Sequence, residues 1–506
     1  MLKPLPASKW NYATAAHLYN RAGFGGTPDE IETLFKLGPE EAVSFFVDYE
    51  KIPGTDTRPE WAKPDPERNE RIRQLQQMAR DEDNSNKTEE EKRAEGEKRR
   101  EMARDIRQEQ YRHLEEMRGE WLKQMATGPR PFQEKLTLFW HGHFATSAIK
   151  VRDAYFMWLQ IDTFRNMGEG NWLDLLEAVA KDPAMLIWLD QAQSRKEHAN
   201  ENFARECMEL FTLGEGHYTE KDVTEAARAM TGWSLDRQTE EYRYRPFAHD
   251  NGIKTVLGRT GDLSGRDVLE TIVAEPQAGR FIGGKLWKFF ASDDPNPQLI
   301  EALAEVFRTN DNNFKPLLRT MFSSEEFYSN SVMRSQIKSP VQWLVGTIRL
   351  LQRPMPPPIV STEMVKNLGQ DLLMPPNVKG WDGGLSWITT NTLLARYNQA
   401  AILVMGQGKL GASGGGGPGQ KMAAQFANAA ARRMAPANVD EIVPETDRQD
   451  IEKLITALGK RFLQGQLTEK HRQILRDYLS PRSDLDDQDV RNAIRLLMST
   501  PEYQIT

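Results

Sequence analysis

Residues 27–39, TPDEIETLFKLGP, decide the fold class. Thr27 can cap a helix, Pro28 loses nothing at a first position where no amide partner exists, and Glu30 can reach back to close a capping box. The spacing predicts a helix over roughly 28–37. Gly38-Pro39 ends it and starts the next, in which Ala42, Val43, Phe45, Phe46 and Val47 supply the apolar side. Helix followed by a sharp stop and another helix is the pattern that recurs along the chain.

From Glu67 to Arg118 the sequence is dominated by Glu, Lys, Arg and Gln, with Ile72, Leu75 and Met78 as sparse apolar points and DEDNSNKT (81–88) as an interruption. Thr88 with Glu91 forms a second capping box, and Leu114, Met117, Trp121 and Met125 follow at helical spacing. This predicts a protruding charged helical hairpin whose last turns dock on the core. Helical signals continue to about 235: Asp182-Pro183 opens one helix, and Thr219 with Asp222 caps another that Gly232 ends. Then the period changes. Tyr242–Phe247 and Thr255–Leu257 flank Asp250-Asn251-Gly252, so one small β-hairpin over about 242–258 is expected. The expected architecture is mainly α, a multi-helix globular protein. It has a main domain over 1–405 that includes the insert at about 67–118, a Gly-rich linker or loop at 406–420, and a helical segment over 421–506 packed on the main domain.

Composition restricts what such a chain does. It has 506 residues, 39% hydrophobic and 27% charged, with a net charge of -7 from 66 basic and 73 acidic side chains. The two signs are interleaved, which argues against a nucleic-acid footprint, since that needs a segregated basic face. There is no apolar run of the ~20 residues a membrane span requires. The N-terminal stretch has no apolar core of ~7–15 residues, so no secretory signal is recognisable and a cytoplasmic location is expected. Cys207 is the one cysteine, which rules out an intramolecular disulfide, a zinc finger and c-type haem attachment.

Candidate chemistry gathers around FWHGHF (139–144). Residues two apart in a helix point about 200° from each other, so His141 and His143 cannot share an ion inside a regular helix. At a helix end, which Gly142 makes available, they can. His141 is the candidate ligand or general base, and His143 the candidate packed residue. In the helix near Asn200, a wheel at about 100° per residue puts Phe203, Cys207, Leu210 and Phe211 on the core side. Asn202, Glu206 and Glu209 form a stripe beside it, and Glu201 with Arg205 is an exposed i,i+4 pair. Glu206 and Glu209 are candidate metal ligands or acid/base groups. His249 and Asp250 are further tentative ligands at the turn, Lys254 or Arg205 is an anion-binding candidate, and Asp190 is a carboxylate suited to capping or coordination. A divalent metal is the cofactor such a set would take. Against it stand absences: no HExxH, GxSxG, CxxC or EF-hand loop, and no GxGxxG opening a helix after a strand. The GQGK of the Gly-rich stretch does not follow a strand and lacks the rest of the P-loop spacing.

The chain resembles the bacterial family known as domain of unknown function 1800. The resemblance rests on HLYNRAGFGGTPDEI (17–31), FWHGHFATS (139–147), NENFARECMELFTLG (200–214) and YTEKDVTEAARAMTGW (218–233), and continues through HDNGIKTVLG (249–258) and MPPNVKGWDGGLSWI (374–388). It covers His141, His143, Asn202, Arg205, Glu206, Glu209, His249, Asp250, Lys254, Gly380 and Trp381. Relatives often carry a His in the segment where this chain has Phe211, which puts any ligand role of that position in doubt here. The resemblance supplies no reaction. It implies a protein partner from a second uncharacterised family, domain of unknown function 1501, which resembles sulfatases and phosphatases and often bears a twin-arginine signal. It also implies export of this chain as a passenger of that partner.

Two readings follow. One is a hydrolase-type enzyme acting on an envelope or polysaccharide-type substrate from a cleft formed by 139–147, 200–213 and 249–254, with His141, Glu206, Glu209 and Lys254 as its working groups. The other is a non-catalytic helical scaffold or chaperone-like subunit of the partner enzyme, in which the same residues form a buried structural network.

Overall fold

A computed structural model describes all residues except 1, 56, 57, 85–87, 411–417, 466, 483 and 484. The capping signals act as expected. Helix α1 (Tyr12–Ala22) is followed by α2 (Pro28–Leu37), where Thr27 and Glu30 close both halves of the capping box, and Gly38 turns the chain directly into α3 (Pro39–Val47). The charged segment folds as α4 (Pro66–Asn84) and α5 (Glu89–Thr127). The distal part of α5 is largely exposed, while its C-terminal third turns Leu114, Met117, Trp121, Leu122 and Met125 inward. At the root of this hairpin, Arg68 pairs with Glu240 and with Asp153 at 3.2 Å, and Gln110 accepts from the Ala154 amide at 2.7 Å.

Helix α6 (Pro131–His143) runs through the core, with every residue except Gly142 buried. A helix covered on all sides needs neighbours on all sides. It gets them from α5, from α1 and α3, and from the helix Ala154–Met167, which packs along it. Its aromatic residues interlock with Trp172, Phe290 and Phe314. In the C-terminal part, the helix Asp487–Met498 packs on Thr390–Met405, and Ile505 bridges to Ile337. Part of the Gly-rich stretch predicted as a linker, 411–417, lies outside the described residues, as does part of the interruption before Thr88.

The β component sits where the period changes but is paired differently from the expectation. Strand β1 (Trp233–Asp236) pairs with β2 (Glu241–Tyr244), and β3 (Lys254–Val256) with β4 (Arg259–Gly261). The expected pairing of 242–247 with 255–257 around Asn251-Gly252 does not occur. Each strand instead closes on its sequence neighbour, the second pair through Leu257 (φ 47°) and Gly258 (φ 84°), both in the left-handed region that two-residue hairpin turns use. Asp250 makes the expected Asx-turn, accepting from the Gly252 amide at 2.8 Å, but within a connecting loop.

Candidate functional site

At the C-terminal end of α6 the two histidines point into different surroundings, as residues two apart on a helix must. His141 is fully buried between Trp121 and Trp381, each with its ring centroid 5.5 Å away. Its Nε2 accepts a hydrogen bond from the Leu373 amide at 3.0 Å, so the ring proton is on Nδ1. Nδ1 has no partner among the described residues. Burial, with Arg118 as a smaller cause, pushes its pKa down to about 3. This is a neutral imidazole whose lone pair is already engaged.

Its partner explains why a histidine is needed there. Leu373 is fully buried with φ 62°, a conformation costly for a branched side chain. Its amide is held by His141 and its carbonyl by the Ala148 amide at 2.9 Å. Six residues beyond the Met374 that follows it, Gly380 (φ 86°) lies so close to α6 that a Cβ there would sit 2.4 Å from the Gly142 carbonyl oxygen. The segments 139–148 and 373–381 are thus one locked unit.

His143 faces the other way, ringed by Phe139, Phe144 and Phe211. Its Nε2 donates to the Phe211 carbonyl at 3.0 Å, leaving Nδ1 as an acceptor 3.5 Å from Lys285 Nζ, which itself donates to the Leu210 carbonyl at 2.9 Å. Both carbonyls belong to an irregular stretch. Asn202–Glu206 is α-helical, but Cys207–Thr212 is a π-turn, with the Leu213 amide donating to Met208 at 2.8 Å and Thr212 Oγ1 to the Cys207 carbonyl at 2.6 Å. The 100° wheel therefore fails after Cys207, a correction to the single regular helix expected there. Burial, then Lys379 and Lys288, lowers the Lys285 pKa to about 8. Sequence reasoning missed Lys285, yet Ile282, Lys285, Leu286 and Phe289 share one helical face, and a lysine on an apolar stripe was the available signal. Leu373 gave no signal at all.

The carboxylates occupy the other side of this turn. Glu209 accepts from Tyr218 Oη at 2.8 Å, and Glu206 is half-buried, its pKa raised by burial and then by Glu209. Arg205 bridges Glu201 at 3.2 Å, the expected i,i+4 pair but half-buried, and Glu220 at 2.7 Å, while Asn202 is exposed. Farther along, His249 Nδ1 donates to the Thr231 carbonyl at 2.9 Å, and Arg228 holds the Asp250 carboxylate through Nε at 2.8 Å and Nη2 at 3.1 Å. Lys254 is fully buried, donating to the Gly252 carbonyl at 2.9 Å and to Asp262 at 3.2 Å, so its ammonium is already engaged rather than open to an anion. Asp190 pairs with Lys150 at 2.8 Å.

The expected joint metal set of His141, Glu206, Glu209, His249 and Asp250 is not gathered into one place. Among the described residues no group of three or more His, Cys, Asp or Glu side chains is arranged to hold a metal ion. Within the set, His141 Nε2 is taken by an amide, one Glu209 oxygen by a tyrosine and the Asp250 carboxylate by an arginine.

The six motif segments lie between residues 17 and 388, and the sequence comparison extends over all of them. A family model described as a protein of unknown function (DUF1800) matches residues 17–505. The chain belongs to this family. No curated protein and no solved structure matches it. In this DUF1800 protein the matched span includes both segments of the locked unit, 139–148 and 373–381, and the family description assigns no reaction. Among its described residues no helix is long and apolar enough to cross a membrane.

Proposed function

We propose that this DUF1800 protein is a non-catalytic helical scaffold, a subunit that holds a partner enzyme of the domain of unknown function 1501 family and travels with it. One observation carries the reading: His141 and His143 each commit Nε2 to a main-chain group, of Leu373 and of Phe211, which fixes irregular backbone. The charged α4–α5 hairpin, anchored at its root and exposed beyond it, supplies the surface for the partner. Elemental analysis of untagged protein tests the reading together with His141→Ala. The expected result is no stoichiometric metal and a loss of about 2–4 kcal/mol of stability, from an unpaired buried amide and a cavity. Stoichiometric divalent metal that His141→Ala releases would sink it.

A second reading keeps one observation of its own. Glu206 and Glu209 are neighbouring carboxylates at a half-open position, with the Glu206 pKa raised, as a general acid of a hydrolase acting on an envelope polysaccharide requires. Glu206→Gln separates the two readings: it abolishes turnover of such a substrate in the enzyme reading and leaves partner binding unchanged in the scaffold reading.

A further inference from the structure

The junction between α1, the loop 332–339 and the C-terminal tail buries cations without counter-charges. Arg21, Lys135 and Arg396 are 1%, 3% and 2% exposed, and the half-buried Arg334 and Lys338 lie beside them. None of the five makes an ion pair among the described residues, and the groups they donate to are neutral. Arg21 donates to Gln336, to the Val332 carbonyl at 3.0 Å and to the Thr506 carbonyl at 2.8 Å. Lys135 donates to Gln342, Arg334 to the Glu502 carbonyl at 2.6 Å, and Arg396 to the Lys338 carbonyl at 2.8 Å. Two carboxylates act on the group from nearby: Asp293 on Arg21, and Glu502 on Arg334. Glu502 is itself 3.4 Å from His471. Buried charge left uncompensated in this way is costly, and either protons leave or an anion enters.

A small cavity of about 20 Å³ sits among these groups, lined by Asn20, Arg334, Lys338, Gln342, Gln464 and Glu502 with a few apolar neighbours. The Lys338 ammonium, a three-donor group, stands 4.0 Å from the Tyr503 ring centroid and has no hydrogen-bond acceptor among the described residues. One water needs roughly 10–15 Å³ by this measure, so the space takes a single ion of that scale and excludes phosphate or a nucleotide.

We propose that this cavity is a binding site for one halide-sized anion, chloride in solution, held by Lys338 and Arg334. The ion supplies the missing negative charge and pins the tail, whose Gln504 carbonyl accepts from the Lys338 amide at 2.8 Å and whose Thr506 exchanges main-chain bonds with Gln336.

The test uses the full chain. Its unfolding midpoint is measured at one ionic strength in sodium chloride, sodium bromide and sodium gluconate, and crystals grown in bromide are examined for anomalous scattering. The expected result is a saturable rise of about 2 °C with either halide and none with gluconate. A bromide peak is expected within reach of Lys338 Nζ. Lys338→Met removes the halide effect, and Lys453→Met, at an exposed position, leaves it. A midpoint that is the same in all three salts, or bromide crystals without that peak, overturns the proposal. If Lys338→Met does not fold, the bromide peak in the unaltered protein decides.

Discussion

His141 shows how one side chain fixes a fold without doing chemistry. Its Nε2 cannot take up a proton without losing the Leu373 amide, and burial between two tryptophans adds to the cost of charge. The sign of the pH effect follows. Below its ordinary value of 6.5 the unfolded chain binds a proton that the folded chain refuses until about 3, so the stabilisation from His141 is complete above 6.5 and is lost as pH falls. The slope is at most about 1.4 kcal/mol per pH unit. In His141→Gln, which keeps an acceptor but no titrating group, that slope vanishes. Urea unfolding at pH 7 and pH 5 is therefore expected to show the advantage of the native protein over His141→Gln narrowing by about 1–2 kcal/mol at the lower pH. A gap independent of pH would mean that the imidazole is not held neutral. The opposite facing of His141 and His143 was legible in the sequence, because helix geometry alone dictates it. The identity of the acceptor's partner was not: Leu373 is 232 positions away, and nothing in its neighbours marks a buried left-handed leucine.

At the scale of elements, two glycines of the motif segments make opposite demands. Gly142 lies in the last turn of α6, at the helix end the sequence suggested, and a Cβ at 142 would meet nothing within 4 Å. Gly142→Ala is expected to be neutral or to stabilise by up to about 1 kcal/mol, since alanine is the better helix former. Gly380 carries both a positive φ and the contact with the Gly142 carbonyl, so Gly380→Ala is expected to cost about 2–4 kcal/mol. Chemical denaturation of the pair checks this, and equal effects would contradict the locked unit. The same contrast shows which elements could be read. Helices announced by their own caps, such as Thr27 with Glu30 and Thr219 with Asp222, were legible because the bonds are local. The strands were placed but mispaired, because the turn that closes β3 on β4 puts Leu257 at φ 47°, where residue preferences point elsewhere. The π-turn at 207–212 depends on Lys285 and His143 arriving from two other helices, so a wheel drawn on its own residues misses it.

For the whole molecule, the mainly helical architecture and the charged hairpin were legible because periodicity, caps and charge all agree there, whereas the site was not, because its residues are joined by long-range bonds to backbone. What remains to be decided is whether the hairpin serves the fold or a partner. Its root serves the fold: Arg68 binds Glu240 and Asp153, Arg71 binds Glu109 at 2.8 Å, and Gln110 holds the Ala154 amide. Beyond that root the exposed charges of α4 and α5 contribute little, since solvent-facing ion pairs add about 0–1 kcal/mol each. Replacing residues 75–105 with a short Gly-Ser turn keeps every one of those root contacts. The shortened protein is expected to unfold within about 2 °C of the full chain. In the scaffold reading it loses at least about tenfold in affinity for the partner enzyme, a difference of about 1.4 kcal/mol, measured by titration calorimetry. Retained affinity would move the partner surface to another part of the molecule, and a large drop in the midpoint would mean that the distal hairpin is part of the core after all.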